Sequence, residues 1–519
     1  MKTSHRVALV TTFLCLASAL SRPVAAEVKV SPLFTDHMVL QQGMAVPVFG
    51  TADANEQVTV TVGDAKATAT ADASGKWLAK VGPLQAGEPV ELTIAGKGNT
   101  LTVKDVLVGE VWVCSGQSNM EWVVANSNNF QEERNSANYP AIRMFTVKKA
   151  VTGKPAKSLE GSWAVCNPQN VGAFSAVGYF FGRELHKSLN VPVGLIHTSW
   201  GGTPAESWAT MEALQSDPDF KPILDRWDGQ FAQFQQQLKQ LPATLDKWMT
   251  DSQRADAEGR PVPPVAVPQD PRSNPWRPAG LYNAMVAPLL PYGIKGAIWY
   301  QGESNAGRAY QYRELLPAMI QSWRKAWGQG DFPFYIVSLA NFTPVKDEPG
   351  DSDWAELREA QTITANTVPH AGQSITIDIG EANDIHPRNK QEVGRRLALV
   401  ALAKDYGKQI PYSGPTYDTM KVEGDAVRLT FKNTHGGLIA RGGDTLKGFA
   451  IAGDDHKWYW ADAKIDGDSV VVRSDKVQKP LAVRYAWANN PVCNLYNGAG
   501  LPAVPFRTDD WKGVTADSR

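Results

Sequence analysis

Val-Leu-Val-Gly-Glu-Val-Trp-Val-Cys-Ser-Gly-Gln-Ser-Asn-Met-Glu, residues 106–121, is the stretch of sequence that decides the fold. Within it, residues 111–114 show no polar alternation, which is typical of a short strand buried on both faces in the centre of a parallel sheet. Ser115 and Gly116 then predict a turn, and the polar residues after them predict the start of a helix. Ser118 would therefore lie at the carboxyl end of a central strand, where open α/β sheets bind their ligands. Taken alone, this serine is equally consistent with a helix cap.

Two later stretches repeat the pattern of an apolar strand followed by a polar turn. Residues 296–300 are apolar and lead into Gln-Gly-Glu-Ser-Asn at 301–305. Residues 374–379 predict a third strand, which leads through Gly380 to Asp-Ile-His-Pro at 384–387. If the three strands lie parallel in one sheet, a serine, an amide pair and a histidine reach the same edge of that sheet.

These three motifs resemble the signature blocks of the sialate O-acetylesterase family, which are carbohydrate acetylesterases of the SGNH hydrolase superfamily. Similar blocks occur elsewhere, at 200–203, 357–361, 448–453 and 505–508, so the resemblance covers most of the chain after residue 26. Each block alone is weak evidence, but several in the expected order make the match specific. The resemblance implies an α/β fold, an SGNH-type three-layer sandwich with a central parallel sheet. It also implies a serine esterase that removes O-acetyl groups from carbohydrates through an acyl-enzyme.

The chain of 519 residues is long enough for several domains. Residues 1–26 have a basic start, an apolar middle and small residues at the end, which predicts a secretory signal peptide. Residues 27–104 and 406–519 alternate apolar and polar positions, which predicts accessory antiparallel β-sandwich regions that can form one unit. Residues 105–405 are interpreted as the catalytic α/β domain, with a helical insertion at about 211–275.

Composition limits the partners and the compartment. The 52 basic and 53 acidic side chains nearly balance, and no basic run is suited to a phosphate backbone, so nucleic acid is not expected as a partner. The apolar run of the signal is too short for a comfortable membrane span, so no stable membrane insertion is expected. The predicted location is secreted or periplasmic. The sequence does not predict an oligomeric state.

The cysteine and histidine spacing predicts no metal site, and no cofactor is expected. The chain has four cysteines, of which Cys15 would leave with the signal. The remaining Cys114, Cys166 and Cys493 allow at most one intramolecular disulfide in an oxidising compartment. No Cys-x-x-Cys or His-Glu-x-x-His spacing occurs, so the sequence contains no recognisable zinc motif.

The predicted nucleophile is Ser118, because ester hydrolysis by serine needs a hydroxyl with a base within hydrogen-bond reach. His386 is the predicted base, since it follows a predicted central strand in a block that resembles the family; His197 is the rival. The superfamily pattern places aspartate three residues before the histidine, whereas this chain has Asp384 only two before it. Asp384 is the predicted orienting acid, with Asp378 or a Ser-His dyad that uses a backbone carbonyl as open alternatives.

Ester hydrolysis also needs donors for the negative charge that develops on the carbonyl oxygen. The candidates are the backbone N–H of Ser118, the backbone N–H of Gly201 or Gly202, and a side-chain amide from the second motif. Asn305 is the nominal asparagine of the superfamily pattern, and Gln301 competes with it because it directly follows the strand. Either amide can instead shape the turn.

Gln117, Glu303 and Trp200, which lie in the matching blocks, are predicted to contact substrate, and Glu303 has an alternative role in bonding turn amides. Three other functions remain open at this stage. A lipase or peptidase of the α/β-hydrolase class is disfavoured by Met120, where Gly-x-Ser-x-Gly requires glycine. A glycoside hydrolase could use Glu303 and Asp384 as paired carboxylates. A non-catalytic protein could bind sugars through aromatic side chains.

Overall fold

The computed structural model describes residues 27–519, so the predicted signal peptide lies outside the described residues. The amino-terminal strands are β1 (Lys29–Val30), β2 (Val39–Gln41), β3 (Val46–Thr51), β4 (Gln57–Val62), β5 (Ala65–Thr70), β6 (Lys76–Val81) and β7 (Val90–Ala95). The middle strands are β8 (Thr100–Gly116), β9 (Tyr139–Thr146), β10 (Trp163–Cys166), β11 (Val193–Ser199), β12 (Gly296–Tyr300), β13 (Phe334–Val337) and β14 (Ala371–Ser374). The helices are α1 (Ser118–Glu121), α2 (Phe130–Ser136), α3 (Ala176–Leu189), α4 (Met211–Ser216), α5 (Lys221–Ala257), α6 (Ala309–Trp327), α7 (Asp353–Thr367) and α8 (Lys390–Lys404).

The carboxyl-terminal region is built from short antiparallel strands. They are β15 (Thr416–Glu423), β16 (Ala426–Lys432), β17 (Leu438–Ala440), β18 (Phe449–Ala452), β19 (Trp458–Trp460), β20 (Asp462–Asp466), β21 (Ser469–Arg473), β22 (Ala482–Tyr485), β23 (Leu495–Asn497) and β24 (Phe506–Arg507). They pair in three small sheets, in the orders β15-β16-β21-β20, β17-β23 and β19-β18-β22-β24. The alternation seen in this part of the sequence therefore corresponds to extra antiparallel sheets.

The largest sheet is mixed. Its main path runs β10-β9-β11-β8-β12-β13-β14, and every neighbouring pair from β9 to β14 is parallel. Only β10 pairs antiparallel on this path, against β9. The sheet is thus an α/β sheet with a parallel centre, as the buried apolar motif strands predict.

Strand β8 is longer than the predicted strand at 111–114. Its first half pairs antiparallel with β7 and parallel with β2, and its second half pairs parallel with β11 and β12. The boundary predicted between residues 104 and 105 therefore falls inside one strand, because the apolar run continues from one region into the next. The division of the chain into domains stays a prediction.

The two β regions belong to different cores. The amino-terminal strands share one hydrophobic core with the middle of the chain, whereas the carboxyl-terminal strands surround a second core. The interpretation of the two ends as one accessory unit is therefore wrong. The cause is the continuous strand β8, which joins the amino-terminal strands to the central sheet.

Helices cover both faces of the parallel sheet. On β8, Trp112 packs edge-on against Phe181 of α3, with ring centroids 5.0 Å apart. On β12, Trp299 packs against Trp323 of α6, with centroids 6.1 Å apart. Trp299 is the register partner of Ser115, so strand alternation places it on the face opposite to Trp112.

The predicted third strand, 374–379, is displaced. Strand β14 ends at Ser374, and the chain beyond it leaves the sheet. Ile375 and Ile377 are buried in the second core, so their apolar character serves that core and not the parallel sheet. The loop that leads to His386 therefore starts earlier than the pattern predicts.

The insertion predicted at about 211–275 contains α4 and the 37-residue α5. The segment after α5 has one short 3-10 turn, at Pro271–Ser273. Among residues 27–519, no helix combines the length and apolarity needed to cross a bilayer.

Cys114, Cys166 and Cys493 are all free thiols in the structure.

Candidate active site

Ser118 occupies the first position of α1, directly after the central strand β8. The turn before it is tight: Gly116 has φ +140°, and a Cβ there would lie 2.1 Å from the carbonyl oxygen of Tyr300, so only glycine fits. The helix cap is Gln117, which answers the alternative that Ser118 serves as a cap. The half-buried hydroxyl of Ser118 has no hydrogen-bond partner among the described residues.

Two contacts bring His386 to the helix of Ser118. The imidazole stacks on the indole of Trp122, with ring centroids 5.0 Å apart and planes 12° from parallel. Trp122 is itself connected to the nucleophile, because the backbone N–H of Trp122 donates to the carbonyl oxygen of Ser118 at 2.8 Å. In addition, Asn119 Nδ2 donates to the carbonyl oxygen of Ile385 at 3.0 Å, so the neighbours of the serine and the histidine are bonded to each other.

The structure distinguishes the two candidate acids. Asp384 Oδ1 lies 3.5 Å from His386 Nδ1 and also accepts the backbone N–H of His386 at 2.9 Å. Asp378 instead forms a two-pronged ion pair with Arg396, at 2.6 and 2.8 Å, and accepts the hydroxyl of Tyr496. Asp384 is therefore the acid beside the histidine, whereas the Asp378 carboxylate is bonded to Arg396 and Tyr496.

The surroundings of His386 favour its neutral form. Burial lowers the pKa of His386, and the positive charge of Lys390 lowers it further, while Asp384 opposes both effects. Because Nδ1 faces Asp384, Nε2 is the ring nitrogen left for another partner. A neutral imidazole with a free Nε2 can accept a proton from a hydroxyl.

His197, the rival base, is buried and bonded within its own strand. It is buried at the end of β11, and its Nε2 lies 2.6 Å from Ser199 Oγ. Burial lowers the pKa of His197 to about 4, so this imidazole is neutral throughout the physiological range. Its hydrogen bond within its own strand keeps it in the packing beside the site.

Two backbone N–H groups are free beside the nucleophile. Gly201 approaches Ser118 so closely that a Cβ there would lie 3.2 Å from Ser118 Cβ, but its N–H donates to Glu121 Oε2 at 2.6 Å. Gly202, with φ +73°, has an N–H that meets no acceptor among the described residues. The N–H of Ser118 likewise meets none there. Of the two glycines, Gly202 is therefore the one with a donor available.

Both amides of the second motif are buried in one network. Gln301 Nε2 donates to Asn305 Oδ1 at 2.6 Å and to the carbonyl oxygen of Thr203 at 3.3 Å. Asn305 Nδ2 donates to Glu206 Oε2 at 2.9 Å, and its Oδ1 also accepts the N–H of Ala205. Gln301 has thus used both amide hydrogens, whereas Asn305 keeps one.

The residues predicted to contact substrate separate into internal and accessible ones. Gln117 is buried, and its Oε1 accepts the N–H groups of Gly302 and Ser304 at 3.4 and 3.3 Å, so it joins two turns. Glu303 Oε1 accepts from Asn119 at 2.6 Å, and its Oε2 is buried without a partner. Trp200 remains half-buried, with Lys149 Nζ 5.2 Å from its ring centroid. Gln117 and Glu303 thus both make internal hydrogen bonds, and their contact with substrate stays a prediction.

Sequence reasoning missed Glu121, which holds Gly201, and Lys390, which bonds Asn119. Glu121 follows the first motif directly, and Lys390 is a cation at the start of a helix, where the helix dipole disfavours it. These two positions in the sequence could have indicated that Glu121 and Lys390 have roles in the site. Within residues 27–519, no cluster of three or more His, Cys, Asp or Glu side chains has the arrangement of a metal site.

Comparison with known proteins gives consistent results. The model of the family described as carbohydrate esterase, sialic acid-specific acetylesterase, matches residues 108–241 and 265–403. Sialate O-acetylesterase of Rattus norvegicus is 30% identical over 553 aligned residues, which cover 95% of this chain and 96% of the relative. Sialate O-acetylesterase of Homo sapiens is 30% identical and covers 90% of each chain. The crystal structure of a carbohydrate acetylesterase from Xanthomonas citri superposes with a TM-score of 0.80 at 38% identity, over 93% of this chain and 100% of that one.

Proposed function

The chain belongs to the sialic acid-specific acetylesterase family of carbohydrate esterases, and on this premise we propose how it hydrolyses O-acetyl esters of carbohydrates. His386 Nε2 takes the proton of Ser118 as Oγ attacks the acetyl carbonyl carbon. The tetrahedral intermediate collapses, the sugar hydroxyl leaves with the proton from His386, and an acetyl-serine remains. Water, deprotonated by the same imidazole, then attacks the acetyl-serine. The second tetrahedral intermediate releases acetate, and His386 returns the proton to Ser118 Oγ. Asp384 orients the imidazole and stabilises its charged form.

The proposed oxyanion site consists of the N–H groups of Ser118 and Gly202 together with the remaining amide hydrogen of Asn305. The first two are supported by their lack of acceptors, and the fixed position of Gly201 supports the orientation of Gly202. Gln301 has no hydrogen left to donate, so its proposed role is to hold Asn305. Preorganised donors of this kind stabilise charge that appears only in the transition state.

One observation carries this mechanism: two neighbours of Ser118 contact the loop of His386. Asn119 donates to the carbonyl oxygen of Ile385, and Trp122 stacks on His386. Paired-carboxylate chemistry receives no such support, because Glu303 Oε1 accepts a hydrogen bond from Asn119 and Glu303 Oε2 is buried. Trp208 and Trp299, whose rings could otherwise stack on sugar faces, are fully buried in the core.

We further propose that the helices on both faces of the parallel sheet form an SGNH-type three-layer sandwich, and that the chain is exported to the periplasm or beyond the cell. The fold proposal is supported by the helices α3 and α6 on opposite faces. The export proposal is supported by the composition of residues 1–26. Acetylated carbohydrate is the proposed partner.

Acetate release from a panel of acetylated carbohydrates tests this function. The panel contains O-acetylated sialic acid, acetylated xylo-oligosaccharides and acetylated monosaccharides, each with its deacetylated form as a control. Acetate release from at least one member, with acetylated Ser118 trapped by rapid quenching and found by mass spectrometry, is the expected result. Cleavage of glycosidic bonds without acetate release would contradict the proposal.

The acid limb of the pH profile is the first prediction. Activity requires neutral His386, and burial and the charge of Lys390 hold the pKa of His386 below its ordinary value of 6.5. The value of kcat/KM should therefore rise with pH and reach half of its plateau below pH 6.5. The measurement is kcat/KM between pH 4 and 8 with a slow substrate, checked for stability at each pH. A profile that is flat across this range would argue against a histidine base.

The two amides of the second motif should respond differently to removal. Asn305→Ala is expected to lower the rate of Ser118 acetylation by about 10²-fold, because one oxyanion donor is lost, with little change in substrate affinity. Gln301→Ala is expected to lower the free energy of unfolding by about 1 to 3 kcal/mol through its lost buried hydrogen bonds, with a much smaller loss of rate. Single-turnover acetylation and urea unfolding of both variants measure this. A large rate loss in Gln301→Ala with an unchanged rate in Asn305→Ala would exchange the two roles.

A further inference from the structure

Lys390 is a fully buried lysine at the first position of α8, in the segment that follows His386. Its Nζ lies 5.9 Å from the ring centroid of Trp122 and 5.4 Å from that of Tyr300. An ammonium group is costly to bury, and the positive end of a helix disfavours it further. The fold must therefore compensate this charge locally, and the proposed chemical steps do not use it.

Asn119, the residue after Ser118, provides a hydrogen-bond acceptor for this ammonium group. Its Oδ1 accepts a hydrogen bond from Lys390 Nζ. Its Nδ2 donates to Glu303 Oε1 at 2.6 Å and to the carbonyl oxygen of Ile385 at 3.0 Å. The amide is thus oriented from both ends, with its oxygen toward the ammonium and its nitrogen toward the carboxylate.

This network joins the three segments that form the site. Asn119 belongs to α1, Glu303 to the turn after β12, and Lys390 to the start of α8. Because Ser118 precedes Asn119 and Ile385 precedes His386, the hydrogen bonds of this amide connect the segment of the nucleophile to that of the base.

We propose that Lys390 is a positioning residue for the reaction, which holds the loop of His386 on the turn of Ser118 through Asn119 and whose positive charge disfavours protonation of His386. The proposal rests on the role of His386 as the base. A displacement of a catalytic group by about 1 Å can cost about 10²-fold in rate, so a hydrogen-bonded support of this kind has a measurable effect.

The charges around the network support the second part of the proposal. Burial lowers the pKa of Lys390 to about 7, opposed by the carboxylates of Glu303, Asp384 and Glu381. The positive charge of Lys390 in turn lowers the pKa of His386. The other groups that face the ammonium are the two aromatic rings and the Asn119 amide, which carry no charge. Removal of the ammonium should therefore make His386 easier to protonate.

Two substitutions separate the charge from the hydrogen bond. Lys390→Gln keeps a donor for Asn119 but removes the charge, and Lys390→Met removes both. In both variants the midpoint of the acid limb of kcat/KM is expected to rise by about one pH unit. Lys390→Met should in addition lower kcat by about 10 to 100-fold, with little change in KM, because the His386 loop loses its support. Lys390→Gln should stay within about tenfold of the wild-type kcat.

Lys404→Gln is the matched control, since it replaces the lysine at the other end of the same helix, whose one side-chain hydrogen bond within residues 27–519 goes to the carbonyl oxygen of Ala371. It should change neither kcat nor the midpoint. A folded Lys390→Gln with the wild-type midpoint overturns the charge effect, and a folded Lys390→Met with wild-type kcat overturns the positioning role. If Lys390→Met does not fold, Lys390→Gln decides alone, with a wild-type midpoint overturning the proposal. Failure of the histidine mechanism itself would appear differently, as a wild-type profile without an acid limb.

Discussion

Replacement of Ser118 by alanine is expected to lower kcat/KM for acetate release by on the order of 10³-fold or more, because the covalent route through acetyl-serine is lost. Stability should change little. The Ser118 side chain is half-buried, and its hydroxyl has no hydrogen-bond partner among the described residues, so its removal leaves no buried group unsatisfied. Steady-state acetate release and a thermal melting curve measure both effects on the same preparation.

Ser304→Ala is the control for this variant. Ser304 is the half-buried serine of the second motif, so its replacement removes the same hydroxyl from the neighbouring turn. It should retain acetate release within about tenfold of wild type and should still form the acetyl-enzyme. Acetate release at the wild-type rate by folded Ser118→Ala would remove this residue as the nucleophile. A comparable loss in Ser304→Ala would show that general damage to the site explains the effect.

Replacement of His386 by asparagine is expected to cause a loss of similar size, about 10³-fold or more in kcat/KM, since Ser118 then has no base. The residual activity should also lose the acid limb, because no imidazole titrates in the site. Asparagine keeps an amide in place of Nδ1, so the loop retains a donor toward Asp384. The measurement is kcat/KM across pH 4 to 8 for the purified variant.

His197→Asn is the matched comparison, because both histidines end or follow strands of the central sheet. His197 is buried, bonds Ser199, and has a pKa lowered by burial to about 4. This change should therefore reduce thermal stability while the folded fraction keeps its acid limb and most of its rate. If His197→Asn abolished the acid limb and His386→Asn preserved it, the base would be His197.

Much of the fold follows from local sequence patterns. The unbroken apolar runs at 111–114 and 296–300 predicted two central parallel strands, and both lie in the sheet because only a strand covered on both faces needs such a run. The alternating segments in the amino- and carboxyl-terminal regions likewise became antiparallel strands. The pattern misplaced the strand at 374–379, because Ile375 and Ile377 pack in the second core and not in the parallel sheet.

The candidate site divides in a similar way. Ser118 and His386 were selected from short motifs, because the residue types that the chemistry requires lie directly after strands or in blocks that resemble the family. Local sequence could not choose between Asp384 and Asp378 as the acid, since the choice depends on Arg396 of helix α8, which bonds Asp378. Local sequence also could not show which of Gly201 and Gly202 has a free N–H, because the N–H of Gly201 donates to Glu121 only in the folded chain.

What the sequence by itself determined is therefore the order and character of the strands and the identity of the residues that follow them, because both depend on local periodicity and turn chemistry. What only the tertiary structure decided is which polar group bonds which. Asn119 meets Lys390 from 271 positions away in the chain, and neither residue's neighbours in sequence indicate that contact. A buried donor or acceptor must find a partner wherever the folded chain brings one, so hydrogen-bond assignments depend on contacts between distant segments.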